Sequence, residues 1–203
     1  PLVILLGILG ATLLIQSSTS MFAMLLGTSC IMYFGSGAKL RYLLSIMLIG
    51  AITIGIVSFA TPYRLKRIAT FFNPEANPQS TGFHINQAQT AIGAGGIFGA
   101  GFGQSQIKLR GLPEPIGDSI FAVIGEEFGF IGTTILIIMF CALITKILLR
   151  ASNMRDEFAK LLLIGFGSIL GIQAFVNIGA ISGIIPLTGT PLPFISYGGT
   201  TLA

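Results

Sequence analysis

Three stretches, Leu40–Ala60, Ser119–Leu149 and Phe158–Ala180, are apolar almost throughout. Each reaches or exceeds the roughly 20 residues that a helix needs to cross a bilayer. A backbone in hydrocarbon must satisfy its own polar groups, and a run of this length does so as a helix. The expectation is therefore an all-α, polytopic helical bundle embedded in a membrane. The charge count agrees. Only 9% of the 203 residues are charged and 53% are hydrophobic, against about 25% charged in soluble domains. Residues 1–203 read as one membrane domain.

Two shorter apolar runs, Leu2–Ile15 and Met21–Phe34, flank the polar Gln16-Ser-Ser-Thr-Ser20. They read as displaced short helices or as a helical hairpin. No basic segment precedes the first run and no small-residue cleavage site follows it, so it does not read as a signal peptide. The chain starts at Pro1, and Thr200–Ala203 look like the first residues of another helix. The expectation is an internal fragment of a longer protein. The net charge of +4 comes without a dense basic run and interleaved aromatics, so no nucleic-acid partner is expected. Cys30 and Cys141 lie in apolar stretches and read as small core residues. No metal-ligating pattern is present.

Basic residues orient the spans. Lys39 and Arg41 precede the Leu40 span, and Lys146, Arg150, Arg155 and Lys160 bracket the turn after Leu149. Two crossings separate the clusters, so both are expected on the cytoplasmic side. Segment 61–118 then becomes a large extracytoplasmic loop, long enough to be functional rather than a plain connection. It carries Arg64, Lys66, Arg67, Lys108 and Arg110 on the side that the rule disfavours. An anionic ligand would give a reason for them. Within the loop, Arg64–Phe72 reads as a short helix lying on the membrane. His84–Ile92 reads as another helix, and the glycine-rich Gly93–Gly103 as a tight re-entrant or surface turn. No Gly-Lys-Ser/Thr follows those glycines, which excludes a P-loop.

Four of the seven acidic residues, Glu114, Asp118, Glu126 and Glu127, fall within Leu112–Glu127. Asp118 stands where the loop meets the Ser119 span. A carboxylate there caps the helix, serves as a general base at the membrane surface, or does both. Glu114 is held between Pro113 and Pro115, as an exposed loop carboxylate or as part of a site with Lys108 and Arg110. Those two cations suit phosphate as well as they suit Glu114. Glu126 and Glu127 lie inside the span, and structural pairing with a cation on another helix is expected over catalysis. Gln173 and Asn177 share a helical face and suit hydrogen bonding between helices. His84, the sole histidine, has no Asp/Ser or second-His pattern around it and is not expected to be catalytic.

Two motifs, LPEPIGDSIFAVIGEEFGFIG (Leu112–Gly132) and NIGAISGIIPLTGTPLPFISYGGTTL (Asn177–Leu202), resemble the SEDS family of shape, elongation, division and sporulation proteins, of the FtsW/RodA type. The loop Asn73–Ser105 resembles that family's large extracytoplasmic loop, and the division-type branch is the nearer match. The family often has His-Thr-Asp where this chain has Ile116-Gly117-Asp118, with the aspartate kept.

The resemblance implies a fragment of a ten-helix protein, from about helix five to the start of the tenth, in the bacterial cell membrane. The implied activity is peptidoglycan glycosyltransferase, polymerising lipid II, an undecaprenyl-pyrophosphate-linked disaccharide-peptide. Asp118 matches the family's essential aspartate. Arg64, Arg67, Lys108, Arg110 and Glu114 are the candidates for holding the substrate and its pyrophosphate. No cofactor is implied, although a divalent cation on the pyrophosphate is compatible. The implied partners are a class B penicillin-binding protein, which crosslinks the product, and divisome or elongasome proteins. A flippase for the same lipid and a non-catalytic scaffold for the transpeptidase are the competing readings.

Overall fold

The computed structural model describes residues 7–10, 12–13, 18–37, 39–60, 65, 69–71, 81–105 and 117–197. Its elements are α1 (Thr19–Gly35), α2 (Leu40–Ala60), α3 (Thr81–Ala94), α4 (Ile120–Ser152) and α5 (Glu157–Ile181). No strand occurs among the described residues, so the all-α expectation holds. The ends of the three expected spans agree with α2, α4 and α5 to within a few residues, and α4 and α5 are long and apolar enough to cross a membrane. Most of the run Leu2–Ile15 lies outside the described residues, as do Arg64, Lys66 and Arg67 of the expected surface helix.

The chain divides into two compact units. One comprises Pro1–Pro62 with Ala142–Ile172, and the other Tyr63–Cys141 with Gln173–Ala203.

The first unit packs large side chains onto glycines. Leu26 of α1 covers Gly50 of α2, Ile164 of α5 covers Gly35, and Met32 of α1 covers Gly165 of α5. Small residues at such points let helix backbones approach, which is how helices associate where lipid removes the hydrophobic drive. Leu44, Leu48, Ile49, Ile52 and Ile56 of α2 remain exposed, as side chains that face lipid do. The turn between α4 and α5 is capped conventionally. The Phe158 amide donates to Asp156 Oδ1 at 3.1 Å, and Arg150 lies in the last turn of α4, where a cation suits the helix dipole.

The second unit is built on α3. Ile85, Ala88 and Ala91 recur every three residues on one side of it. They pack with Phe121, Ala122 and Val123 of α4 and with Ala180, Ile181 and Leu187. After Ala94 the chain turns through the glycines and meets α4 main chain to main chain. There α4 is broken: Gly129 has φ 65° and ψ −161°. A helix break leaves carbonyls unsatisfied on one side and amides on the other. The glycine turn satisfies both. Ala100 and Gly101 amides donate to the Glu126 and Glu127 carbonyls at 2.9 and 3.0 Å. Phe130 and Ile131 amides donate to the Gly96 and Ile97 carbonyls at 2.9 and 3.2 Å. A Cβ on Gly95 or Gly99 would collide with the carbonyl of Gly125 or Glu127, so these positions admit only glycine.

The Ser119 run is thus a short helical segment, a break at Gly129 and a longer apolar segment. Glu126 and Glu127 are buried just before the break, and the Ser105 hydroxyl donates to the Glu126 carboxylate. The cations of this unit lie outside the described residues, and the expected cation pairing of the two glutamates lies outside them too.

Candidate functional site

Residues 117–119 form the turn that leads into α4. The Ala122 amide donates to the Ser119 carbonyl at 3.0 Å. Ser119 therefore stands directly before the first helical residue, the place that the sequence suggested for Asp118. Asp118 is one residue further out and half-buried.

Main-chain struts fix this turn from two directions. From α5, Asn177 Nδ2 donates to the Asp118 carbonyl at 2.8 Å and to the Thr190 carbonyl at 2.6 Å. One turn earlier, Gln173 Nε2 donates to the Pro191 carbonyl at 3.1 Å. From the segment beyond, Ser196 Oγ donates to the Gly117 carbonyl at 2.6 Å and accepts the Leu192 amide at 2.7 Å. The shared face of Gln173 and Asn177 is as the sequence indicates. Their partners, however, are loop carbonyls rather than another helix.

Asn177 is 1% exposed, so Asn177→Leu leaves the Thr190 carbonyl, in a buried bond, and the Asp118 carbonyl, in a part-buried one, without their donor. Each such loss costs about 1–3 kcal/mol. We expect a clearly lower melting temperature in detergent. An unchanged one would mean that the two carbonyls find other donors.

The Asp118 side chain lies between two groups. Ser119 Oγ donates to Oδ1 at 3.4 Å, and Ser119 Oγ itself lies 2.6 Å from His84 Nε2 on α3. On the other side, a Cβ at Gly189 would sit 3.6 Å from Oδ2. This is a carboxylate with a fixed backbone and a hydrogen-bonded flank, half-open to its surroundings. It suits accepting a proton from a hydroxyl held within reach.

Of the catalytic and substrate-binding candidates named from the sequence, the structure describes Asp118 alone. Arg64, Arg67, Lys108, Arg110 and Glu114 lie outside the described residues. His84 is the residue that sequence reasoning passed over. Its partner is 35 positions away, and no local pattern announces such a pair. Among the described residues, no three His, Cys, Asp or Glu side chains gather as a metal site requires.

The model of the FTSW_RODA_SPOVE family, "Cell cycle protein", matches residues 1–203. Stage V sporulation protein E of Bacillus subtilis (strain 168) is 40% identical over 178 residues, 88% of this chain and 49% of that protein. A "Probable peptidoglycan glycosyltransferase FtsW" of Geobacter sp. (strain M18) is 38% identical over 202 residues, 100% of this chain and 55% of that protein. A protein of the same name from Coxiella burnetii is 37% identical over 98% of this chain and 54% of its own length. The chain spans about half the length of the curated relatives it matches. Among solved structures, a chain from "Structural coordination of polymerization and crosslinking by a peptidoglycan synthase complex" superposes with a TM-score of 0.77 at 26% identity. The match covers 99% of this chain and 56% of the other.

Proposed function

This chain belongs to the FTSW_RODA_SPOVE family of cell cycle proteins, and from that premise we propose that it carries the catalytic turn of a membrane-embedded peptidoglycan glycosyltransferase. The substrate is a lipid-linked disaccharide-peptide of the lipid II type, and segment 61–118 faces the outside of the cell membrane. A sugar 4-hydroxyl oxygen attacks the anomeric carbon that bears the lipid pyrophosphate. The new glycosidic bond forms as the bond to pyrophosphate breaks, and the lipid pyrophosphate leaves with the electron pair. The hydroxyl proton passes to Asp118. Arg64, Arg67, Lys108 and Arg110 are positioned in the sequence to stabilise the departing pyrophosphate, with Glu114 beside the last two.

The placement of Asp118 supports this reading most. Its turn is held by Asn177 and Ser196 through the main chain, where the loop meets α4. A class B penicillin-binding protein is the proposed partner, by analogy with the peptidoglycan synthase complex of which one chain resembles this one.

A flippase is the rival that one observation favours, because α4 is broken and discontinuous helices line transport sites. In those sites the free helix ends hold the substrate. Here the carbonyls of Glu126 and Glu127 and the amides of Phe130 and Ile131 are taken by the glycine turn, so the break reads as a clamp. Intact protein in liposomes, given labelled lipid-linked disaccharide, separates the readings. Polymer is expected. Translocation without polymer would support the flippase, and neither would support the scaffold.

A further inference from the structure

We propose that His84 is a positioning residue for Asp118, acting through the Ser119 hydroxyl. The inference rests on the reading of Asp118 as the general base and adds the device that holds its side chain.

An ionised carboxylate only accepts hydrogen bonds, and a serine has one hydrogen to give. In the arrangement proposed, Ser119 Oγ gives it to Asp118 Oδ1, 3.4 Å away. The 2.6 Å contact between Ser119 Oγ and His84 Nε2 is then donated by the histidine in its Nε2–H tautomer. Two donors in series point at one carboxylate oxygen. Each polarises the next, as chained hydrogen bonds do in a region of low dielectric.

The supports of this chain are rigid. Ser119 is fully buried and is fixed at the start of α4. His84 sits on α3 one residue before Ile85, which packs in the core with Phe121. The separation between histidine and hydroxyl is therefore set by the packing of α3 on α4. The consequence is a defined rotamer for Asp118 before substrate arrives. A base must lie within hydrogen-bond reach of the proton it takes, and small displacements cost rate steeply.

The test uses the intact protein, with polymerisation kinetics and a melting temperature for each variant. His84→Leu keeps bulk and removes the donor. We expect kcat to fall about 2- to 10-fold, the usual weight of a hydrogen bond between neutral groups, with KM and melting temperature little changed. His84→Gln restores an N–H donor and is expected to recover most of the loss. Ser119→Ala cuts the same chain at its middle. It should match His84→Leu, and the double variant should be no worse than either single one, because both remove one device.

Wild-type kcat in both His84→Leu and Ser119→Ala would overturn the proposal. So would equal losses in His84→Leu and His84→Gln that follow a falling melting temperature, since packing alone would explain them. The underlying reading fails separately. Near-normal polymerisation by Asp118→Asn removes the base, whatever His84 does. A dead Asp118→Asn beside a fully active His84→Leu and Ser119→Ala removes only the positioning role.

Discussion

Gly129→Ala is expected to leave little folded protein, whereas Gly93→Ala is expected to be harmless. At Gly129 the backbone has φ 65° and ψ −161°, a conformation open to glycine and strained by about 1–3 kcal/mol for other residues. The added Cβ would also strike the Gly99 amide and the Ile97 carbonyl. Those are main-chain atoms, so no side chain can swing away to make room. Overpacking of this kind typically costs a further 1–3 kcal/mol or so, and the four hydrogen bonds that join the turn to the break are disturbed with it.

A total of about 4 kcal/mol or more is a large part of an ordinary domain's stability. At Gly93, inside α3, an added Cβ meets nothing within 4 Å, and alanine suits a helix better than glycine. Yield and melting temperature in detergent check the pair. A Gly129→Ala protein that melts like wild type would contradict the pairing of the glycine turn with the break. The first segment of α4 carries the Asp118 turn, so this clamp also bears on the site.

Asp118→Asn is expected to remove polymerisation while leaving the fold intact. The struts at this turn grip main-chain carbonyls, those of Gly117 and Asp118, and the substitution does not touch them. An asparagine side-chain oxygen still accepts the Ser119 hydroxyl, and its size matches. Only the basicity goes. Loss of a general base usually costs about 10²–10⁴-fold in rate, far beyond the effect of a small change in folded yield.

The apolar runs made much of this fold legible. Each stretch of membrane length became a helix, because a lipid-facing backbone has no other way to satisfy itself. The i, i+4 spacing of Gln173 and Asn177 likewise placed both on one face. It did not disclose that they grip Pro191, Asp118 and Thr190, since which main-chain carbonyls come near a helix face depends on the path of a distant segment. The break at Gly129 was hidden for another reason. Phe128-Gly129-Phe130-Ile131-Gly132 reads as ordinary apolar helix, and the cause of the break, the turn at Gly95–Gly101, lies some thirty positions earlier. Asp118 was singled out from its place before an apolar run and from family resemblance. The His84–Ser119 contact was not legible, because it joins two elements and periodicity within one element carries no trace of that.

The most direct test is the rate at which the intact protein, with its transpeptidase partner, polymerises labelled lipid-linked disaccharide when Asp118 is aspartate or asparagine. Protein amounts and melting temperatures are matched between the two. We expect long glycan strands from the wild type and a rate about 10²–10⁴-fold lower from Asp118→Asn, with both forms equally folded and equally bound to the partner. Near-normal polymerisation by Asp118→Asn would contradict the account and shift the base to another residue of the 61–118 loop, with Glu114 first in line.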